Sequence, residues 1–87
     1  MALVQITPVE ADVRWDGRAD RPSRVRWNGC ELRITELDAV RDERSAYPAD
    51  RGPRVIYLLR TAEGGQASVV YDPRRHRWFV EAVDQAA

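Results

Sequence analysis

The residues able to perform catalytic chemistry are few in this chain, and they do not form a catalytic set. His76 is the only histidine, and it lies among arginines in residues 74–77 without the nucleophile that a triad requires. The three serines lack the Gly-x-Ser-x-Gly context of a nucleophile elbow. Four carboxylates cluster in one segment: Glu36, Asp38, Asp42 and Glu43. An acid–base pair needs a concave, partly dry site, so we expect a solvated acidic face, no enzymatic activity and no cofactor or metal.

Arginine and tryptophan are the residue types that favour binding. All 14 basic residues are arginine, and guanidinium groups are suited to carboxylates, phosphates and aromatic faces. Arg24 and Arg33 are expected to face each other in a hairpin, where like charges cost stability unless an anion lies between them. The predicted contacts to a ligand or partner are Trp15, Arg24, Arg26, Arg33, Arg74, Arg77 and Trp78.

Two functions are consistent with these residues. Tryptophan and arginine dominate binding hot spots, which favours an accessory module for protein–protein interaction, with a protein partner or a second copy of the chain. The alternative is weak binding of single-stranded nucleic acid, because Arg74, Arg75 and Arg77 with Trp78 would extend the arginine patch and aromatic rings stack on unpaired bases. The formal net charge of zero favours the protein partner over nucleic acid.

These residues must be positioned by a hairpin centred on Asn28 and Gly29. An Asn-Gly pair between two alternating runs is typical of a type I′ turn, because both residues tolerate a positive φ angle. A two-residue loop would place three pairs on one apolar face: Trp27 with Cys30, Val25 with Leu32, and Ser23 with Ile34. We therefore expect Cys30 to be a buried small hydrophobic residue and the arginines to occupy the other face.

Further strands are predicted on both sides of this hairpin. They cover residues 3–7 (ended by Pro8), 10–15, 54–61, 66–72 and 78–83. Residues 54–61 are apolar on both faces, which is typical of a central strand or of one that pairs with another subunit. The loop between this strand and the next has two or four residues, so the register of the 54–72 hairpin stays open.

Residues 35–45 are ambiguous. Ile34, Leu37 and Val40 recur every three residues, and Thr35 followed by Asp38 is typical of a helix start. One short helical turn is one interpretation, and a strand that continues through a bulge is the other. Residues 47–53 contain two prolines and a glycine, which predicts a loop.

The composition predicts one small mainly β domain over residues 1–87. With 44% hydrophobic residues the chain can bury a modest core. Five or six short antiparallel strands avoid exposed edges best by closing, so we expect a small SH3-like barrel or a strongly curled sheet. No basic leader precedes an apolar run, and no run approaches about 20 apolar residues, so a cytoplasmic protein without a membrane segment is expected.

A series of aromatic and apolar residues spans much of the chain: Pro22-x-x-Val25-x-Trp27-x-Gly29, Leu32-x-Ile34-x-x-Leu37, Tyr71-Asp72 and Arg77-Trp78. This series resembles an uncharacterised bacterial family, domain-of-unknown-function family 6504, over residues 22–84. The resemblance implies a small β-rich cytoplasmic protein and, by gene neighbourhood, a link to DNA repair or translesion synthesis. The chain departs from the family where Val40 and Tyr47 replace tryptophans.

Overall fold

The computed structural model describes residues 3–42 and 54–84, which form six strands and, within these ranges, no helix. The strands are β1 (Leu3–Asp16), β2 (Arg21–Trp27), β3 (Cys30–Asp42), β4 (Val55–Thr61), β5 (Gln66–Asp72) and β6 (Arg77–Asp84). Each strand pairs antiparallel with its neighbours in chain order, and β6 pairs with β1 to close the barrel. The predicted small antiparallel barrel is confirmed. No helix long and apolar enough to span a bilayer occurs in the described part of the chain.

The hairpin of β2 and β3 has the predicted register. Val25 pairs with Leu32 and Trp27 with Cys30, and the turn residues Asn28 and Gly29 have φ angles of 48° and 76°. The prediction that Cys30 is buried is wrong, because its thiol-bearing side chain is exposed. Cys30 is the first residue of β3, so it lies at an end of the barrel, where no further residue of either strand covers it.

Strand β1 is longer than predicted. The expectation that Pro8 ends the first strand is wrong, because one strand continues from Leu3 to Asp16. The pairing of β1 with β6 is irregular between Gln5 and Val9. Proline has no N–H to donate, so it is tolerated where the ladder of hydrogen bonds is interrupted.

Strand β3 resolves the ambiguity of residues 35–45 as far as residue 42. The short helical turn is wrong for residues 35–42, and the bulged strand is confirmed, with irregularities between Ile34 and Glu36 and between Leu37 and Ala39. Each irregularity adds one residue to β3, so Ile34, Leu37 and Val40 face Thr61, Leu59 and Tyr57, which are only two residues apart on β4. The helix-like spacing of three is therefore strand alternation with an extra residue at each step. Residues 43–53, which include Glu43 and the predicted 47–53 loop, lie outside the described residues.

Four residues, 62–65, lie between β4 and β5, which is one of the two predicted loop lengths. The hydrogen-bonded residues Thr61 and Gly65 enclose the three residues 62–64. Arg60 pairs with Gln66, and the Thr61 N–H donates to the Gly65 carbonyl at 2.9 Å. The Gly64 N–H donates to the Thr61 carbonyl at 3.0 Å, and Gly64 has a φ of 91°. A turn followed by a residue in the left-handed region is the usual form of such a loop.

The core lies inside the barrel and uses every second residue of each strand. Its fully or nearly buried members are Val25, Ile34, Leu59, Ala67, Val69 and Val80. Strand β4 is apolar on both faces, as predicted. Leu59 lies inside the barrel, fully buried. On the outer face, Ile56 pairs with Val70 of β5, and Val70 is 4% exposed. β4 pairs with β3 on one side and with β5 on the other.

Candidate binding surfaces

Four aromatic rings meet at the end of the barrel that carries the loops of residues 17–20 and 73–76. We call this group the aromatic end: Trp15, Tyr57, Tyr71 and Trp78. The ring centroids of Tyr71 and Trp78 are 4.7 Å apart, and those of Tyr57 and Trp78 are 5.4 Å apart. Trp15 contacts Tyr57 edge to face at 6.0 Å. The rings are brought together because Tyr71 pairs directly with Trp78 across β5 and β6. Trp15 lies where the register between β1 and β2 shifts, because β2 has one extra residue, Ser23, at this point.

The aromatic end is partly open to solvent. Tyr57 and Trp78 pack against the buried core, whereas Trp15 is 43% exposed. Val40, which faces Tyr57 across β3 and β4, is 49% exposed. Two large apolar side chains therefore lie at the surface above a base of rings that contact one another.

The two loops beside the aromatic end are built in the same way. Asp16 Oδ1 accepts the N–H groups of Arg18 and Ala19 at 2.9 and 3.2 Å. Asp72 Oδ1 accepts those of Arg74 and Arg75 at 2.9 and 3.3 Å. Side-chain carboxylates that bind the backbone two and three residues later fix the start of a turn. Both loops are thereby held in place around the aromatic end.

Each of these loops ends on a residue in the left-handed region. Asp20 and His76 both have a φ of 56°. His76 also shares a hydrogen bond between its Nδ1 and the Tyr71 hydroxyl at 3.0 Å. The only histidine of the chain thus ties a loop to the aromatic end.

Three arginines form a line across the outer face of β1, β2 and β3. Arg14 pairs with Arg24, and Arg24 pairs with Arg33. We call these residues the arginine row. Their neighbours Val13 and Val25 pack inside the barrel, so strand alternation turns the arginines outward. Directly paired residues of adjacent antiparallel strands have Cβ atoms about 4.5–5.5 Å apart, so three like charges lie side by side.

The next row of the same face has alternating charge. Arg26 lies between Asp12 on β1 and Glu31 on β3. Glu31 Oε1 is 3.5 Å from Arg26 Nε and 3.7 Å from Arg24 Nη1. Arg14 and Arg33 form no ion pair among residues 3–42 and 54–84. The arginine row is therefore compensated only weakly and at one position.

The structure separates the predicted contact residues into different surfaces. Arg24, Arg26 and Arg33 share the outer face of β2 and β3, and Arg14, which the sequence analysis missed, joins them. Trp15 and Trp78 belong to the aromatic end. No unbroken patch of arginines with Trp78 forms, because Arg77 and Trp78 are consecutive on β6 and point to opposite faces.

Arg77 and Arg74 lie away from the arginine row. Arg77 Nη1 is 3.5 Å from Glu10 Oε1 on β1. Arg74 lies in the exposed 73–76 loop beside the aromatic end, where it forms no ion pair with a described residue. Arg14 was missed because its partner depends on where β1 meets β2, and no turn motif in the sequence fixes that register.

The acidic residues of β3 are used in cross-strand contacts. Arg60 Nη1 is 3.4 Å from Glu36 Oε2, and Arg60 Nη2 is 3.1 Å from Asp38 Oδ1. The Gln66 amide donates to Asp38 Oδ2 at 2.9 Å. These carboxylates bridge β3 to β4 and β5 instead of facing each other across a cleft. No group of three or more His, Cys, Asp or Glu side chains suited to a metal ion occurs among the described residues.

The chain was compared with protein families, with curated proteins and with solved structures. No family model, no curated protein and no solved structure matches it. The resemblance to domain-of-unknown-function family 6504 stays a prediction. The functional argument therefore depends on the two surfaces just described.

Proposed function

We propose that this chain is a non-enzymatic binding module whose aromatic end docks an apolar side chain of a protein partner. The observation that carries the proposal is the exposure of Trp15 and Val40, at 43% and 49%, above rings that are themselves packed. Exposed tryptophans in a well-packed setting are the residues that dominate binding energy when a partner covers them.

The contacts within the aromatic end favour docking over a purely structural role. Trp15 touches both Tyr57 and Trp78, so its orientation is largely fixed before a partner arrives. Ordering a side chain on binding costs about 0.5–1.5 kcal/mol, and a ring that is already held avoids much of this cost. Tyrosine and tryptophan also keep a polar group for a hydrogen bond to the partner.

The charges of the surrounding loops indicate which segment would fit. Arg18, Arg74 and Asp20 form no ion pair with a described residue, while Asp16 and Asp72 are engaged by backbone N–H groups. The unpaired side chains of the two loops therefore carry one net positive charge. A segment with an apolar anchor and acidic neighbours complements this arrangement, since exposed arginines set the choice of partner through charge.

Affinity capture from a bacterial lysate with matched variants tests the proposal. Trp15→Ala and Val40→Asp should each abolish recovery of the dominant partner, whereas Leu3→Ala should not. Leu3 is a suitable control because it is also an exposed apolar residue, at 38%, but lies at the far end of β1. Circular dichroism must show that all three variants remain folded.

The outcome that contradicts docking is equal capture by Trp15→Ala, Val40→Asp and the unaltered chain. Light scattering at two protein concentrations separates a foreign partner from a second copy. A dimer that Val40→Asp dissociates would make the copy itself the partner.

A second candidate function, weak binding of single-stranded nucleic acid, is favoured by the arginine row. Three adjacent guanidinium groups with little compensation gain when phosphates lie between them. No aromatic ring of the described residues lies beside Arg14, Arg24 or Arg33 on this face, so the contacts would be to phosphate and not to stacked bases.

A labelled single-stranded oligonucleotide titrated at about 50 and 200 mM salt tests this candidate, since affinity from phosphate contacts falls steeply with salt. Arg24→Gln should weaken binding more than Arg26→Gln, because Arg24 is the centre of the row. No binding at the lower salt concentration would refute it.

A further inference from the structure

A cavity of about 280 Å³ opens at the end of the barrel opposite the aromatic end. It lies beside the turns of residues 28–29 and 62–64 and is lined in part by Trp27, Cys30, Leu32, Glu63, Val83 and Asp84. Its volume is close to the lower end of the range of ligand pockets, about 300–1,000 Å³. The cavity is therefore large enough for a small organic molecule.

The cavity exists because the two ends of the barrel are filled differently. Four rings pack together at the aromatic end, whereas Trp27 is the only aromatic among the described residues that line the cavity at the opposite end. Trp27, Leu32 and Val83 belong to the shell that packs against the core, so they form apolar walls with a rigid base. The walls are suited to a flat or branched hydrocarbon group.

Asp84, which lines the cavity, has one carboxylate oxygen without a partner. This oxygen, Oδ1, is buried and forms no hydrogen bond. A carboxylate whose buried oxygen has no donor is costly, and a cation beside the same carboxylate offsets that cost. The backbone leaves room for the side chain, because Gly65 has no Cβ. A Cβ at that position would lie 3.3 Å from Asp84 Cβ.

The charge of the lining residues selects the sign of the ligand. Asp84 and Glu63 are both carboxylates, and none of the described residues that line the cavity is an arginine. The Trp27 indole adds a negative π face, which attracts cations within about 6 Å. An organic cation thus complements the cavity, and an anion does not.

We infer that this cavity binds a small organic ammonium with an apolar body. The ammonium group pairs with the Asp84 carboxylate, and the apolar body packs against Trp27, Leu32 and Val83. The site is at the other end of the barrel from the proposed partner-binding surface. A failure of ligand binding here therefore leaves the proposed function unaffected, and the reverse also holds.

Three ligands of nearly equal size test the inference: benzylammonium, benzyl alcohol and benzoate. Binding is followed by the indole N–H resonance of Trp27 and by the rate at which iodoacetamide alkylates Cys30, the only cysteine in the chain. We expect benzylammonium to shift the Trp27 resonance and to slow alkylation at concentrations where benzoate does neither. Benzyl alcohol should bind at least about tenfold more weakly than benzylammonium, because its hydroxyl donates a hydrogen bond but carries no charge.

The variant Asp84→Asn keeps the shape of the side chain and removes its charge. It should reduce the affinity for benzylammonium about tenfold while leaving that for benzyl alcohol nearly unchanged. The matched control is Asp12→Asn, which removes the same charge on the outer face of β1 and should change neither affinity.

Two results would overturn the inference without depending on any variant. One is equal binding of benzylammonium and benzoate to the unaltered chain. The other is a shift of the Trp15 or Trp78 resonance with none at Trp27, which would place the ligand at the aromatic end. Equal affinity of Asp84→Asn and the unaltered chain for benzylammonium would also refute the assignment of Asp84.

Discussion

Two neighbouring arginines of β2 should respond oppositely to the same substitution. Arg24 lies between Arg14 and Arg33, whereas Arg26 lies between Asp12 and Glu31. We therefore expect Arg24→Gln to stabilise the barrel and Arg26→Gln to destabilise it. Each variant loses one positive charge from the same face of the same strand, so each is the control for the other.

The expected magnitudes follow from the contacts. Arg24→Gln removes two cross-strand repulsions of about 0.2–1 kcal/mol each. It also removes one ion pair to Glu31, 3.7 Å long with side chains 36% and 49% exposed, which is worth about 0–1 kcal/mol. With about 0.5 kcal/mol for each of these three interactions, the net gain is about 0.5 kcal/mol. Arg26→Gln removes two attractions and should cost about 1 kcal/mol.

Thermal unfolding followed by circular dichroism measures the difference. A separation of about 1.5 kcal/mol corresponds to about 6 °C or more in Tm for a domain of this size. The separation should shrink at about 1 M salt, where the Debye length is about 3 Å. The reasoning is refuted if Arg24→Gln is less stable than the unaltered chain at low salt, or if the separation is the same at both salt concentrations.

Three further substitutions, with Gly17→Ala as a control, test the core and the turn between β4 and β5. Leu59→Ala should cost about 2–5 kcal/mol in urea unfolding, because Leu59 is fully buried; a cost below about 1 kcal/mol would contradict its place in the core. Gly64→Ala should cost about 1–2 kcal/mol, because Gly64 has a φ of 91°, while a Cβ there would meet nothing within 4 Å. Gly17 is also in open space but has no positive φ, so Gly17→Ala should be nearly neutral in the same assay. Thr61→Val should cost about 1–2 kcal/mol, because the buried Oγ1 accepts the Gly65 N–H at 3.2 Å, and the unprotected Gly65 amide should exchange faster by NMR.

The parts of the fold that local chemistry determines were predictable. Asn28 and Gly29 fix both a turn type and a register, so the pairing of Val25 with Leu32 followed directly. The closed mainly β architecture followed from the number of short strands and tight turns. In these cases the information is local, because Asn and Gly tolerate the positive φ angles of the turn and turn residues separate the short strands.

The errors occurred where tertiary pairing overrides local pattern. Ile34, Leu37 and Val40 imitate a helix because two bulges stretch the strand period from two to three, and a bulge depends on the partner strand. Pro8 ends a strand in isolation but is accommodated where β1 leaves its regular pairing with β6. Burial of Cys30 failed because its position at the end of the barrel matters more than its pairing with Trp27.

The candidate surfaces were predictable only in part. Arg24 and Arg33 were expected to be opposite each other, and they are. Arg14 completes the row through a pairing between β1 and β2 for which the sequence contains no two-residue turn. The cavity beside Asp84 depends on two hairpin turns and the end of β6 meeting at one end of the barrel, which no local motif specifies.

The pairing of Leu3 with Asp84 has a consequence for how the chain acquires its structure. β1 can complete its pairing only after β6 has been synthesised. Until then, a nascent chain on the ribosome exposes the unpaired N–H and C=O groups on the edge of β1 that faces β6. Folding that depends on contacts so distant in sequence is slow, and open strand edges recruit other chains. Truncation within β6 should therefore produce aggregates instead of a smaller soluble sheet, since β1 and β5 would each lose one of their two partner strands.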